Sequence, residues 1–426
     1  MKKVKQNKKL IYLDHAATTP LDPRVERAMR PFWSKNFGNP SSICRLGVDA
    51  RKAVEDARKS VANVLHCSAA EIIFTPGGTA SDNLAVLGVA HAVCALPSPP
   101  PFSNSRELEN GGVRQKKRDQ ARGHIIVSSI EHEAVLEPAW RLEKEGFSVT
   151  LLKVDKNGLV NPMDVKKSLR PDTVLVSVMY ANNEIGTIQP IREIAKVVRD
   201  FRKTLNLKLA TFNSAVLPLL HTDACQAANY LELNVQKLGV DLMTLNGSKI
   251  YGPKMSGMLF VKSGVKLTPI MLGGGQERGL WSGTENVPGI IGFAKALEIS
   301  EKLKGKEIER LTKLRDYFIG KLQSELKNVT LNGDPVRRLP NNVHVSINGV
   351  EGEVMVLYLD AEHIQAAVGS ACTSQSMEPS HVLKAIGLSS HKASGSLRLT
   401  LGRSTTKADC DHVVEAMQGV VALLRK

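Results

Sequence analysis

Short apolar runs alternate with amphipathic stretches between about residues 70 and 265 of the chain. The apolar runs predict strands, and helix-like stretches such as Pro190–Thr204 and Gln226–Lys237 lie between most of them. This alternation is typical of a mostly parallel sheet covered by helices, in which ligands bind beyond the carboxyl ends of the strands. The predicted strands are Glu71–Thr75, His124–Ser128, Ser148–Lys153, Val174–Met179, Leu217–Thr222, Asp241–Leu245 and Met258–Val261.

The pattern changes after Thr284. A long polar helix-like run over Ile290–Lys327 is followed by shorter strands near Asn342–Ile347 and Gly395–Leu401, which predicts a smaller α+β domain. We therefore expect an α/β protein with a large and a small domain. The expected parts are an N-terminal segment over 1–20, a large domain over 21–285 and a small C-terminal domain over 286–426.

Two stretches interrupt the alternation of strands and helices. Residues 97–122 are rich in Pro, Gly, Ser and charged side chains, which indicates an inserted surface loop. The irregular stretch Leu205–Ala215 predicts a second loop insertion. The role of the first insertion, including a docking role, stays open at this point.

Composition places the chain among ordinary globular proteins, with 42% hydrophobic and 23% charged residues. The 57 Lys and Arg residues against 42 Asp and Glu give a net charge of +15, which favours anionic ligands or acidic partners. The longest apolar stretch, Leu84–Leu96, is too short to span a membrane, and the N-terminal MKKVKQNKK is not a secretory signal. The six scattered cysteines form no C-x-x-C pair, so we predict no metal cage and a cytoplasmic, reducing location.

An acid and a lysine follow two successive predicted strands. Asp223 comes directly after LPLLHT, and Lys249 follows DLMTL in the stretch LNGSKIYGPK. Because successive parallel strands end at the same edge of a sheet, we expect the two side chains to lie close together. A carboxylate for a pyridinium nitrogen and a lysine for covalent attachment are what pyridoxal phosphate requires. A capping aspartate and a surface lysine would give the same pattern, so the pair alone leaves both interpretations open.

A Gly-rich turn supplies a third element of the same kind of site. Gly77, Gly78 and Thr79 follow the strand EIIFT and precede the helix-like SDNLAVLGVAHAV. Such a turn presents backbone N–H groups and the positive end of a helix dipole to a phosphate. The triplet taken alone is equally compatible with an ordinary turn.

A series of blocks along the chain together resembles the cysteine desulfurases, the pyridoxal-phosphate enzymes of the class V aminotransferase group. The resemblance extends from about Ile11 to Leu424 and so covers nearly the whole chain. It implies fold type I of the pyridoxal-phosphate-dependent transferases, with a mostly parallel seven-stranded sheet in the large domain. The blocks are YLDHAATTP, GNPSS, FTPGGTASDN, SSIEHEAV, NNEIGTIQP, HTDACQ, SKIYGPK, GGGQERG, SGTENV, GSACTS and LRLTLGRSTT.

The resemblance also implies roles for individual residues. Lys249 would hold pyridoxal 5'-phosphate covalently and later move the α-proton of the substrate. Asp223 would pair with the ring nitrogen, and Gln226 would hydrogen-bond the ring hydroxyl. His132 would stack on the ring and transfer protons, and Asn183 would orient the cofactor and the substrate carboxylate. The phosphate would be bound by Gly78, Thr79, Asn246, Ser248 and, from the neighbouring subunit of a homodimer, Thr284.

Two further residues would handle the substrate, L-cysteine. Arg398 would clamp its α-carboxylate with the bidentate geometry of a guanidinium. Cys372 lies in VGSACTSQSMEPSH, whose small and polar residues predict a loop that can carry a thiol to the substrate. In the family, this cysteine takes the sulfur as a persulfide, and alanine is released. The sulfur would then pass to an acceptor protein, either an iron–sulfur scaffold or a tRNA-thiolation enzyme, and Cys372 would be the point of any transient iron–sulfur contact.

The chain departs from the family pattern near the expected cofactor site. The usual S-x-H-K motif ends here in Gly247-Ser248-Lys249, and GPKMSG replaces a tighter GPKG-type turn. The lysine, the acid, the histidine and the loop cysteine are all kept, which favours altered cofactor binding over lost activity. The other departures are Trp281 in place of an Arg, Ala80 in place of a Glu and Cys44 in place of a His.

Two alternatives to a cysteine desulfurase remain open from the sequence. One is a selenocysteine lyase of the same fold. The other is a weakly active homologue with a scaffold or RNA-associated role, which the substitutions near Lys249 and the charge of +15 motivate. For the desulfurase itself we expect no membrane partner and no direct binding of nucleic acid.

Overall fold

The computed structural model of the protein describes residues 9–94, 122–208, 217–369 and 380–425. The predicted insertion over 97–122, apart from Arg122, and the predicted catalytic Cys372 therefore lie outside the described residues. No helix within these ranges combines the length and the apolar character needed to cross a membrane. The strands are β1 (Ile11–Tyr12), β2 (Ile72–Thr75), β3 (His124–Ser128), β4 (Ser148–Leu152), β5 (Thr173–Ser177), β6 (Leu219–Asp223), β7 (Leu242–Asn246), β8 (Gly257–Val261), β9 (Val329–Leu331), β10 (Asn342–Ile347), β11 (Ile364–Gln365) and β12 (Ser396–Thr400).

Helices separate most of the strands, as the alternating pattern predicts. Most of the longer ones, such as α3 and α7, present an apolar face to the sheet and a polar face to solvent. The helices are α1 (Pro23–Met29), α2 (Pro31–Ser34), α3 (Arg45–Leu65), α4 (Gly78–Cys94), α5 (Glu133–Lys144), α6 (Pro162–Ser168), α7 (Ile191–Lys208), α8 (Val235–Leu238), α9 (Val287–Glu325), α10 (Gly352–Ala361), α11 (His381–Ala385), α12 (Ser390–Ser394) and α13 (Lys407–Leu424).

Seven of the described strands form the central sheet, in the order β2-β8-β7-β6-β5-β3-β4. Among them β8 runs antiparallel to both neighbours and the remaining pairs are parallel, so the prediction of a mostly parallel sheet is confirmed. Alternate residues enter separate apolar clusters: Ile72 packs with α3 and α9 on one face, and Ile73 with α4 and α5 on the other. The sheet is therefore buried on both faces, and its accessible edge is the row of carboxyl ends.

The C-terminal part is built around the antiparallel sheet β12-β10-β9, which α9, α10 and α13 cover. This confirms the predicted smaller α+β unit. The N-terminal segment joins it, because β1 pairs in parallel with β11 and Leu13 packs in its core. Helix α9 contributes Phe293 to the core of the large sheet and Phe318 to that of the small one. The exact boundaries at 20 and 285 stay predictions.

Two local predictions are wrong. The helix expected over Gln226–Lys237 is a series of turns over residues 225–230, and only Val235–Leu238 forms a helix, with Asn234 as its N-cap. The reason is a competing contact, because Asn229 Nδ2 donates to the backbone oxygen of Lys249 at 2.7 Å and holds the turns against the next strand end. The loop expected from Leu205 is also wrong at its start, since α7 continues to Lys208; residues 209–215 lie outside the described part.

Candidate active site

The parallel pairing of β6 with β7 brings the predicted acid and lysine to one cavity. Asp223 is the last residue of β6 and lies opposite Thr244 of β7, and the chain reaches Lys249 three residues after β7 ends. A cavity of about 190 Å³ opens between them. The predicted site residues in its wall are Gly78, Thr79, His132, Asn183, Asp223, Gln226, Asn246, Lys249 and Arg398, and further wall residues are Ala16, Ala17, Asp82, Met179 and Cys225.

Lys249 is the single lysine among the described residues that line this cavity. Its Nζ donates a hydrogen bond to the backbone oxygen of Ala17 at 2.5 Å. Burial lowers the pKa of the ammonium group below its usual value, and the positive charge of Arg398 lowers it further. A lysine in this environment gives up its proton more readily, which suits it to nucleophilic attack and to proton transfer.

The backbone around Lys249 is held from three sides. Besides the bond from Asn229, the backbone N–H and the hydroxyl of Thr19 donate to the oxygen of Ser248, at 2.8 and 2.9 Å. The GPKMSG turn contributes as well, since Ser256 accepts the N–H of Gly247 at 2.8 Å. The GPKMSG turn therefore helps to hold the backbone beside Lys249 in place. Ser248 lies outside the cavity wall and its Oγ donates to Asn246 Oδ1 at 3.2 Å, so its cofactor role stays a prediction.

The carboxylate of Asp223 is fixed by its own chain. Oδ1 accepts the backbone N–H of Cys225 at 2.8 Å, and the residue is 8% exposed. The side chain of Gln226 is directed by a bond from Nε2 to the backbone oxygen of Ala16 at 2.9 Å. One wall of the cavity thus presents the carboxylate of Asp223, whose orientation is fixed by one hydrogen bond from the backbone.

The start of α4 in the cavity wall is suited to an anion. Helix α4 begins at Gly78, and Gly77 before it has a φ of 148°, which glycine adopts without steric cost. A Cβ at Gly78 would lie 2.9 Å from Cys225 Sγ and 3.3 Å from Asn246 Nδ2, so only glycine lets the helix start approach these groups. A helix N-terminus beside a side-chain amide is a site that binds phosphate.

His132 has a defined ring orientation. It is the N-cap of α5, and its Nδ1 accepts the backbone N–H of Ala134 at 3.0 Å. An imidazole that accepts at Nδ1 carries its proton at Nε2 when it is neutral. The ring at the cavity wall is therefore held in one tautomer.

Arg398 and Asp14 form an ion pair at the cavity that the sequence did not indicate. Arg398, on β12, is 1% exposed, and its Nη2 donates to Asp14 Oδ1 at 2.7 Å. Nη1 donates to the backbone oxygen of Asn183 at 3.2 Å, while Nε has no hydrogen-bond partner among the described residues. Asp14 lies in the YLDHAATTP block, but only the tertiary structure joins it to a residue 384 positions away.

On the expectation from the family resemblance that Arg398 binds the α-carboxylate of L-cysteine, we predict that Asp14→Asn raises the KM for L-cysteine about 10-fold, because Arg398 loses a charge-assisted bond that fixes its orientation. kcat is expected to change far less. Steady-state kinetics check this, with Asp155→Asn on the exposed turn before α6 as the matched control. A lower KM in Asp14→Asn would mean that Asp14 competes with the substrate for Arg398, contrary to this account.

Thr284 does not join the Lys249 cavity. It is exposed and lines a second cavity together with Met255 and Trp281, one of the family departures. This placement agrees with a residue that serves another subunit, and its role stays a prediction. Met255 in this cavity wall is 70% exposed, and Leu272, which follows the residue that pairs with Trp281, is 79% exposed.

Cys372 lies outside the described residues, but both flanks of its segment are described. Ser380 Oγ donates to Glu184 Oε2 at 2.6 Å, and a Cβ at Gly369 would lie 3.4 Å from the same oxygen. Next to Ser380, Nε2 of His381 donates to the backbone oxygen of Glu131 at 2.9 Å. The two flanks therefore meet beside Asn183 and His132, both in the cavity wall.

Comparisons with known proteins agree on one family. The family model named Aminotransferase class-V matches residues 11–96 and 112–413. Cysteine desulfurase IscS of Dictyoglomus turgidum is 45% identical over 418 residues, which is 98% of this chain and 96% of the relative. A solved NifS-like protein aligns with a TM-score of 0.82 and 32% identity over 97% of this chain and all of that one. A structure of SspA in complex with cysteine aligns with a TM-score of 0.72 and 31% identity, covering 92% of this chain and 98% of that one.

Proposed function

The chain belongs to the aminotransferase class-V family and is a cysteine desulfurase, and from this membership we propose that the cavity around Lys249 performs the reaction. The observation that carries the proposal is the convergence of Lys249, Asp223 and Arg398 on one cavity at the carboxyl edge of the sheet. No described residue favours the selenocysteine lyase or the RNA-associated alternative over this function. The relative that is 45% identical is named a cysteine desulfurase, and the solved structure that is 32% identical is named a NifS-like protein.

The donor set of the cavity fits pyridoxal 5'-phosphate. Asp223 offers a fixed carboxylate to a protonated ring nitrogen, and Lys249 offers an amine of lowered pKa for covalent attachment. The start of α4 at Gly78, which no Cβ obstructs, and the amide of Asn246 offer donors to the phosphate. When bound, this cofactor accepts the electrons that the substrate releases.

We assign the handling of the substrate to Arg398, Lys249 and Asn183. Arg398 binds the α-carboxylate of L-cysteine with the guanidinium that Asp14 orients, and its unpartnered Nε supplies a donor. Lys249 Nζ takes the α-proton. Asn183 lines the same wall, whereas its neighbour Asn182 is used inside the fold, bonding the backbone of Ile130.

The sulfur step requires a second thiol, for which we propose Cys372. Its thiolate attacks the sulfur of the substrate, an S–S bond forms, and the carbon–sulfur bond breaks. The electron pair of that bond stays with the substrate, whose β-carbon takes a proton, so that alanine and a persulfide result without an external oxidant. Cys372 is three residues beyond Gly369 and thus within about 10 Å of it, which supports its reach to the cavity. His132 is the proposed proton-transfer residue of this step, and because its Nδ1 accepts the N–H of Ala134, Nε2 is the atom that it would use.

We predict that Cys372→Ala loses at least about 100-fold in alanine formation, because the thiol in the described cavity wall, Cys225, is buried and burial raises its pKa well above the usual value, which keeps it from acting as a thiolate. The yellow colour of the bound cofactor is expected to persist, since Lys249 and Asp223 are unchanged. Alanine analysis and visible absorbance measure the two effects. Cys44→Ala, at an exposed cysteine, is the matched control. Equal turnover in the two variants would exclude Cys372 as the sulfur carrier.

We further propose a homodimer in which each phosphate site includes Thr284 of the neighbouring subunit. The exposed apolar side chains near the second cavity support a second copy of the chain as the occupant of this face. The five cysteines in the described part are free thiols, which supports a reducing compartment, and we propose the cytoplasm. The acceptor of the sulfur is proposed to be an iron–sulfur scaffold or a tRNA-thiolation enzyme.

A further inference from the structure

A buried polar pair lies at the cavity, with one of its members, Asp82, in the cavity wall. Asp82, on α4, and His221, on β6, are 1% and 0% exposed. Asp82 Oδ1 lies 3.6 Å from His221 Nε2. Because His221 precedes Asp223 by two positions on one strand, both side chains lie on the same face of the sheet. None of the steps proposed above uses either residue of the pair.

His221 connects three neighbouring strands at the edge that carries the site. Its Nδ1 bonds the hydroxyl of Ser177, the last residue of β5, at 2.8 Å. Its Nε2 bonds the hydroxyl of Thr244, on β7, at 3.1 Å. Thr244 is also hydrogen-bonded to Asp82. The pair therefore fixes the spacing between the strand ends that lead to Asp223 and to Lys249.

The surroundings of Asp82 disfavour a negative charge. Its Oδ1 accepts no hydrogen bond from any described residue. A buried carboxylate oxygen without a hydrogen bond raises the free energy of the charged form. Burial raises the pKa of Asp82 well above its usual value, and the negative charge of Asp223 raises it further. Burial lowers the pKa of His221 to about 4. The other titratable groups that face the pair are Cys225 and Glu131. Burial raises the pKa of Glu131 to about 8.

We propose that Asp82 and His221 form an uncharged positioning pair beside Asp223, and that this pair holds the strand ends of the site and leaves Asp223 as the carboxylate charge directed at the cofactor ring. The proposal rests on the proposed function in so far as Asp223 faces that ring. Asp82 is then a carboxylic acid and His221 a neutral imidazole, and the hydroxyl of Thr244 is hydrogen-bonded to both.

The isosteric variant Asp82→Asn separates a neutral acid from a carboxylate. Asparagine matches a protonated aspartic acid in shape and charge, so holoenzyme with this change should bind pyridoxal 5'-phosphate within about 3-fold of wild type. Asp82→Ala removes the partner of His221 and should weaken binding about 10-fold. A pH titration of the visible absorbance of the bound cofactor should superimpose for wild type and Asp82→Asn, and its midpoint should rise by about one pH unit in Asp82→Ala.

Infrared spectroscopy tests the protonation state directly. Wild-type holoenzyme at neutral pH should show the C=O stretching band of a buried carboxylic acid that Asp82→Asn removes and Glu131→Gln leaves in place, beside a separate band of the Glu131 acid that only Glu131→Gln removes. Absence of that band in the wild type, or an Asp82→Asn titration displaced as far as that of Asp82→Ala, would overturn the proposal. These measurements need no turnover of L-cysteine, so a failure of the desulfurase assignment is seen separately, in the alanine assay.

Discussion

Lys249→Ala is expected to abolish turnover of L-cysteine, with a loss of roughly 10⁴-fold or more. In the proposed function this residue supplies both the amine that attaches the cofactor and the base that takes the α-proton, and no other lysine lines the described cavity wall. Its environment supports both uses, since burial and Arg398 lower its pKa and its Nζ bonds the oxygen of Ala17. Alanine release and the visible absorbance of the purified protein measure the two losses.

Lys254→Ala is the matched control for this variant. Lys254 belongs to the same SKIYGPK block but is exposed and does not line the cavity. It should keep both the absorbance and the activity of the wild type. A yellow Lys249→Ala protein that still forms alanine at the rate of Lys254→Ala would show that the cofactor is attached elsewhere.

Asp223→Asn is expected to lower kcat about 10³-fold while the protein stays folded. Asparagine keeps an oxygen that can accept the N–H of Cys225, now made at 2.8 Å by Asp223 Oδ1, but it lacks the negative charge. Without that charge the ring nitrogen is no longer held in its protonated form, and the cofactor becomes a weaker acceptor of electrons. Asp223→Ala should be at least as severe.

Single-turnover rates of alanine formation, with the fraction of bound cofactor measured in the same sample, isolate this effect from loss of binding. Asp172→Asn, at an exposed position before β5, is the control. Near-normal rates in Asp223→Asn would contradict the pairing of Asp223 with the ring.

The sequence predicts the parts of the site that depend on strand order. Asp223 and Lys249 follow successive apolar runs, and the parallel pairing of β6 with β7 brings both to the same edge. The turn at Gly78 precedes a clear apolar helix pattern and is found at the start of α4 as expected. Such features are local in the chain, so hydrophobic periodicity is enough to locate them.

Long-range contacts explain what the sequence did not predict. The ion pair between Asp14 and Arg398 joins the segment that follows β1 to β12, and no local sequence pattern indicates it. The turns after Gln226 replace a predicted helix because Asn229 bonds a backbone oxygen on the next strand connection. Asp82 stands between Ser81 and Asn83 in a polar helix start, so no local pattern marks it as a member of a buried pair.

The most direct measurement is one turnover of the purified protein with L-cysteine, followed by absorbance, alanine analysis and mass spectrometry. We predict that the visible band of the bound cofactor changes on addition of the substrate and that one alanine forms per cofactor. The peptide containing Cys372 should then carry the mass of one additional sulfur atom. Formation of alanine without added mass at Cys372, or an unchanged band with no alanine, would contradict the assignment of this cavity as the site of desulfuration.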